Sequence, residues 1–500
     1  MGGLLAGAGA ITIAIGVGIA PATAAAPGEL DGFEYVALGD SYQAGFGLTP
    51  FSTTSPFAGD PNGCYQADSP TEGDYPRRVT TDLGLALSDQ TCSGAVTANL
   101  GYPQPTTTLP VPPVSLETFP TLSGTEAKQV TMDGVTAPTF QNEALSDSTD
   151  IVTVGIGGND LGFTDIAESC MRLAVGPGTK ATGMEALTSI SVDNCKDVFE
   201  SDAPEYAEYQ ISTRLTDYIE PRIEAVFQAI DEQAPNAQVF VVGYPQLAPE
   251  TATDACFKLT SPPSDDNVPF SGVDMMYLHQ VEKALVDIVR ARAAAHGFHF
   301  VDAWPSTAGH TLCDGAESWI EPLDVAFPTG SVCPTDYMPL GKDGTTYICV
   351  KLGALHPTTA GVENLHQLVK ASVEHAFYVR VHGDASPGST ITVEGGGFAP
   401  GETVDVVLHS TPVTIGTPTA DARGSFSAAM TIPGDVPAGS HTVVATGAAS
   451  GRAFSAGVVL ALPATGSGLD AAAPTAIGGA LLLLGIALLA IRRRGATRRG

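Results

Sequence analysis

Positive charge is scarce in this sequence. Its 23 lysines and arginines stand against 54 aspartates and glutamates, a formal net charge of −31. Five of those 23 are the arginines of the last nine positions, so the body of the chain is more acidic still. A surface of that sign repels phosphate backbones and anionic headgroups, which excludes nucleic acid as a partner. No two cysteines are spaced C-x-x-C, so neither a zinc ribbon nor a redox dithiol is expected, and no metal or cofactor. Disorder is excluded as well, because 43% of the residues are hydrophobic. Five hundred residues are too many for one ordinary core, so at least two folded units are expected.

The eight cysteines all fall between Cys64 and Cys349. In an exported chain an even number is expected to form disulfides. Pairing neighbours along the sequence gives Cys64–Cys92, Cys170–Cys195, Cys256–Cys313 and Cys333–Cys349, one of about 105 possible connectivities.

Both ends carry addresses. Residues 4–20 are apolar and small, and the stretch Ala22 to Pro27 offers an A-x-A cleavage site near Ala24 to Ala26, the pattern of a signal peptide over 1–26. No Lys or Arg precedes the run, so a buried apolar segment is the alternative. Near the other end stand Leu462-Pro463-Ala464-Thr465-Gly466, then an apolar run over about 471–491, then Arg492, Arg493, Arg494, Arg498 and Arg499. The last two parts alone read as a transmembrane helix with a positive-inside stop. With the pentapeptide the order resembles the LPXTG cell-wall sorting signal of Gram-positive surface proteins, over 462–500. That resemblance implies sortase cleavage between Thr465 and Gly466, then attachment to peptidoglycan. The expected location is the Gram-positive cell wall, with membrane contact only through the sorting helix before cleavage. A permanent membrane anchor is the alternative.

Between these ends the texture changes once. Over 32–376, short apolar runs (Tyr35–Leu38, Ile151–Val154, Val239–Val242, Phe298–Val301) alternate with helical periodicity at 204–233, bent by Pro221, and at 273–296. Such alternation predicts an α/β unit with a parallel sheet. The Pro- and Thr-rich stretch 101–140 reads as a surface excursion. Over 380–461 short alternating segments are separated by Pro-Gly turns, which predicts a small all-β, Ig-like sandwich acting as a spacer first and a binding module second.

Four short motifs carry chemistry. Gly39-Asp40-Ser41-Tyr42 follows the first strand, where a serine hydroxyl can stand at the carboxyl edge of a sheet. Gly94, in Cys92-Ser93-Gly94-Ala95, can offer its N–H at close range. Gly157-Gly158-Asn159-Asp160 follows the second strand, where an amide can donate to an oxyanion. His356-Pro357 places an imidazole at a fixed turn, suited to activating a hydroxyl. Each alone reads equally as a cap, a turn or a solvated histidine. Together they resemble the four blocks of the SGNH (GDSL-type) hydrolase family. Gly63-Cys64-Tyr65, Tyr75-Pro76, Gly243-Tyr244-Pro245, Val301-Asp302 and Gly309-His310 with Cys313 look like its secreted actinobacterial esterases and lipases.

The resemblance covers roughly 33–375 and implies a flavodoxin-like three-layer fold. It implies Ser41 as nucleophile, His356 as general base, and an oxyanion hole from the N–H groups of Ser41 and Gly94 and the side chain of Asn159. One departure stands out: the family usually carries Asp three residues before the histidine, and here that residue is Gly353. Some members use a main-chain carbonyl instead, which makes the Gly353 carbonyl the expected partner of the imidazole. Asp40 and Asp160 are expected to be structural. The activity implied is hydrolysis of carboxylic esters, of lipids first and of acetylated carbohydrates second. A non-catalytic wall protein on a degenerate hydrolase fold is the competing class.

Overall fold

The computed structural model describes residues 29–51, 64–100, 131–132, 135–136, 140–163, 166, 196, 199–200, 210–251, 272–322, 325–326, 333, 337–343, 346–410 and 412–461. The expected signal peptide, sorting motif and apolar span 471–491 lie outside these residues, as do Cys170, Cys195, Cys256 and most of 101–140. Among the described residues no helix is long and apolar enough to cross a membrane.

Five parallel strands form the first unit: β1 (Glu34–Gly39), β2 (Ala86–Asp89), β3 (Ile151–Gly155), β4 (Gln238–Val242) and β5 (His299–Val301), in the order β2-β1-β3-β4-β5. Strand alternation sends Val36, Leu38, Val152, Val154, Val239 and Val241 to one face, against α2 (Glu220–Gln233) and α3 (Gly272–His296). Tyr35, Ala37, Phe240, Val242 and Val301 face the other way, against α1 (Tyr75–Leu83) and α4 (Thr359–Ala376). Each buried valine, leucine and phenylalanine among them contributes about 1.5–3 kcal/mol by leaving water. Three layers result. Pro221 opens α2 in its first turn, and the preceding Arg214–Ile219 wind as a π-helix, since proline gives no N–H to the turn before it. In this strand order the chain reverses direction across the sheet between β1 and β3, and their carboxyl ends frame a crevice.

The second unit has seven antiparallel strands: β6 (Tyr378–His382), β7 (Thr390–Gly396), β8 (Val404–His409), β9 (Val413–Gly416), β10 (Phe426–Thr431), β11 (Gly439–Gly447) and β12 (Ala453–Leu460). They make two sheets, β6-β7-β10 and β9-β8-β11-β12. The unit is docked rather than tethered. Phe377, Phe398 and Phe454 belong to the same buried cluster as Tyr35 and Phe240 of the first sheet. Phe33 packs against Phe377 and Phe454 at 5.7 and 6.4 Å. The contacts fall at the amino ends of the parallel strands: Arg452 on Asp150, before β3, and Gln238, opening β4, on the Arg423 carbonyl.

Candidate active site

Ser41 stands just past β1, 8% exposed. The turn that carries it is knitted to its neighbours. The Asp40 N–H donates to the Gly155 carbonyl at 3.2 Å, and the Gly39 carbonyl accepts from the Cys92 N–H at 3.0 Å. Gly39 has φ +143°, and a Cβ there would lie 2.5 Å from the Gly155 oxygen. Only glycine allows the ends of β1 and β3 to approach this closely.

His356 reaches Ser41 from the loop before α4. Its Nε2 lies 2.7 Å from Ser41 Oγ, and its Nδ1 lies 2.8 Å from the Ala354 carbonyl oxygen. A carbonyl only accepts, so Nδ1 carries the hydrogen and the Nε2 lone pair faces the hydroxyl. This corrects the expectation that Gly353 supplies the carbonyl. The Gly353 oxygen is taken by the His356 main-chain N–H at 2.9 Å, closing the turn, and the next carbonyl is the one presented to the ring. Position 353 is also closed to a carboxylate. Its φ is +81°, and a Cβ there would lie 2.8 Å from the Cα of Gly47.

The imidazole lies 4.8 Å from the Phe46 ring and 5.0 Å from the Tyr42 ring. Burial against them pushes its pKa down to about 4, with the Ala354 carbonyl acting weakly the other way. At neutral pH it is uncharged and able to accept a proton.

The Gly94 loop is tied down from several sides. Cys92 is bonded to Cys64, and the Ser93 N–H donates to the Cys64 carbonyl at 3.0 Å. Asn159 Nδ2 donates to the Ala95 carbonyl at 2.9 Å, leaving its second hydrogen available. Asp160, buried, accepts from the Thr97 N–H at 2.8 Å and hydroxyl at 2.5 Å. Among the described residues, the main-chain N–H groups of Ser41 and Gly94 donate to nothing. Two idle N–H groups and one amide hydrogen are donors of the kind a tetrahedral oxyanion takes.

Asp40 binds these pieces together. Its Oδ1 accepts from the Tyr42 N–H at 3.0 Å, and its Oδ2 from the Tyr244 hydroxyl at 2.5 Å. The Tyr244 oxygen in turn accepts from the Gly158 N–H at 3.0 Å. With the Gln43 amide turned so that its nitrogen meets acceptors, it donates to Asp40 Oδ1 at 2.8 Å. Burial raises the Asp40 pKa to about 7 against the pull of these donors. Sequence reasoning gave Tyr42 and Tyr244 no role, although both lie inside quoted motifs. Ala354 left no signal, because a carbonyl belongs to every residue.

Of the other expected cysteines, Cys313 and Cys333 are each disulfide-bonded, and the side chain of Cys349 lies outside the described residues. Among the described residues no group of three His, Cys, Asp or Glu could hold a metal ion.

Comparison with known proteins finds relatives among ester hydrolases. Lipase 2 of Streptomyces coelicolor is 29% identical over 292 residues, covering 58% of this chain and 76% of the relative. An esterase of Streptomyces scabiei is 28% identical over 314 residues, covering 60% and 78%. The crystal structure of an extracellular lipase from Streptomyces rimosus covers 68% of this chain and 99% of its own, at 22% identity and a TM-score of 0.40. Residues 375–460 match a family described as a macroglobulin-like domain. Residues 37–363, which include the serine turn, the Gly94 loop, the Asn159 turn and the histidine loop, match the GDSL-like Lipase/Acylhydrolase family. A match over most of the chain settles descent: this protein belongs to the GDSL-like lipase/acylhydrolase family and is an ester hydrolase.

Proposed function

We propose that the protein hydrolyses carboxylic esters through an acyl-enzyme on Ser41, with His356 as the base. The observation that carries this reading is the 2.7 Å contact of Ser41 Oγ with His356 Nε2, while Nδ1 is committed to Ala354. Oγ attacks the ester carbonyl as its proton passes to Nε2, and the oxyanion meets the N–H groups of Ser41 and Gly94 and the Asn159 amide. Collapse expels the alcohol, which takes the proton from the imidazolium. Water, deprotonated by the same nitrogen, then opens the acyl-serine to a carboxylic acid. Purified enzyme and Ser41→Ala are compared on p-nitrophenyl butyrate. A loss of 10³-fold or more is expected in the variant, and equal rates would sink the reading.

The substrate favoured is a lipid-like acyl ester rather than an acetylated glycan. From His356 a row of aromatic rings continues through Phe46 to Tyr65 at 5.4 Å and Phe51 at 5.3 Å, a wall suited to an apolar chain. Relatives named lipase and esterase support the same class. Rates on butyrate and octanoate esters above those on acetylated xylan are the expected result.

The enzyme is proposed to work outside the cell, joined to the wall through Thr465 after sortase cleavage. Support comes from the order of Leu462–Gly466, the apolar run and the five arginines. Mass spectrometry of muramidase-released protein is expected to find Thr465 as the last residue, linked to a peptidoglycan fragment. A chain ending at Gly500 in the membrane fraction would refute this.

A further inference from the structure

The loop that carries the base holds a residue in an unfavourable conformation. Leu355, directly before His356, has φ +64°. For a leucine the left-handed region is sterically disfavoured, and it persists only where neighbours over-determine it. Two neighbours do so here. Glu321 accepts the Leu355 N–H at 2.9 Å and donates its own N–H to the His356 carbonyl at 2.8 Å. Tyr42 donates its hydroxyl to the Leu355 carbonyl at 2.8 Å. The main chain is thereby pinned on both sides of the imidazole.

The pin from Tyr42 differs in kind, because it comes from the residue next to the nucleophile. The Tyr42 N–H is held on Asp40, and its ring packs edge-on against Tyr244 at 5.3 Å while lying 5.0 Å from the His356 ring. Ring packing alone would be served by phenylalanine. The hydroxyl adds a rigid link from the serine turn to the histidine loop.

We propose that Tyr42 is a positioning residue which, through its hydroxyl on the Leu355 carbonyl, sets His356 on Ser41 in place of the carboxylate that position 353 cannot accommodate. The proposal rests on the Ser41–His356 reading. Geometry is its warrant: Ala354 fixes which nitrogen is protonated, but it belongs to the same loop as His356 and would move with it. Tyr42 ties that loop to the nucleophile.

The test is Tyr42→Phe, which keeps the ring. A released Leu355 relaxes toward ordinary φ and displaces the imidazole, so kcat should fall roughly 10- to 100-fold with KM unchanged. The His356 ring, followed by NMR, should titrate above its present value of about 4, toward the ordinary 6.5, as water reaches it. The ionisable groups on the elements around it are Asp40 and Tyr42 on the serine turn and the Glu321–Lys351 ion pair, and only the Tyr42 hydroxyl differs between the two proteins. Adding Leu355→Asn should return part of the lost kcat, because asparagine tolerates the left-handed region.

An unchanged kcat, a loss confined to KM, or a double variant slower than the single would overturn the proposal. If Tyr42→Phe folds poorly, the double variant is compared with wild type: kcat within ten-fold supports the link, and a larger loss refutes it. A wild type whose hydrolysis survives Ser41→Ala would refute the nucleophile assignment instead, and the ring titration would still report on Tyr42.

Discussion

On the proposed reading, the proton that leaves Ser41 is carried by an imidazole with no carboxylate behind it, and this has consequences at the level of single residues. A main-chain carbonyl orients the ring but offers a dipole where a carboxylate offers a full charge, so burial dominates the His356 pKa and lowers it to about 4. For an uncharged ester, kcat/KM should therefore stay level down to about pH 5 and fall only through about pH 4. An acid limb near 6.5 in the pH–rate profile would show that the ring is solvated and the geometry misread. Asp40 behaves oppositely. Its folded pKa, about 7, lies above its unfolded value, so the folded state binds the extra proton and stability falls as pH rises from about 4 to about 7. The slope for one such group is at most about 1.4 kcal/mol per pH unit. His356 works against it, since its lowered pKa makes stability rise between about 4 and 6.5. In Asp40→Asn the falling contribution is absent. Urea unfolding at pH 5 and pH 7.5 should show the wild type losing stability relative to the variant at the higher pH.

At the level of the element, the histidine loop explains why the family's aspartate is missing. Gly353 and Gly47 meet backbone to backbone, and a Cβ on either would lie less than 3 Å from the other's Cα. Installing the carboxylate as Gly353→Asp is therefore expected to lower kcat and to destabilise the fold by about 1–3 kcal/mol, since φ +81° is strained for aspartate as well. A faster variant with an unchanged melting temperature would contradict that account. The same loop marks how far the sequence could be read. The strands were legible because β1, β3 and β4 are short apolar runs buried on both faces, and the turns that carry Ser41 and Asn159 were legible because they follow two of these strands. The edge strand β2, Ala86–Asp89, is half polar and nowhere fully buried, and gave no such signal. The partner of His356 was illegible for a different reason. Which carbonyl faces a ring depends on left-handed residues, and Leu355 does not announce that conformation as a glycine would. Four of the seven described β-sandwich strands were legible from alternation, whereas Tyr378–His382, Val413–Gly416 and Ala453–Leu460 were not; the docking was illegible because an inward-facing phenylalanine has the same pattern whether it meets its own sheet or another unit.

At the level of the whole molecule, that docking alters the part played by the second unit. The sequence suggested a spacer, yet the two units share one buried cluster that runs from Tyr35 and Phe240 through Phe377 to Phe454. Arg452 seals the junction. It is 5% exposed, donates to Asp150 at 2.8 Å and to the Gly397 carbonyl at 3.0 Å, and lies 5.9 Å from the centre of the Phe33 ring. The junction lies at the amino ends of the parallel strands, whereas Ser41 and Asn159 lie past their carboxyl ends. β12 runs away from the junction, and the Ala461 N–H is bonded to the Ala385 carbonyl at its far end. Ala461 and the serine are therefore on opposite sides of the sheet's amino edge. Stability and chemistry should separate accordingly. Arg452→Ala takes the guanidinium from Asp150 and the Gly397 carbonyl, at about 1–3 kcal/mol given that Asp150 keeps the Glu34 N–H and can still reach water. Its melting temperature should drop by several degrees while kcat on p-nitrophenyl butyrate stays within about two-fold of wild type. Removing 377–461 altogether uncovers Phe33 and the lower end of α4, and that truncated chain is expected to aggregate rather than to work as a free hydrolase. A soluble, fully active 29–376 fragment would mean that the sandwich is a passenger, and that the shared phenylalanine core contributes nothing the hydrolase needs.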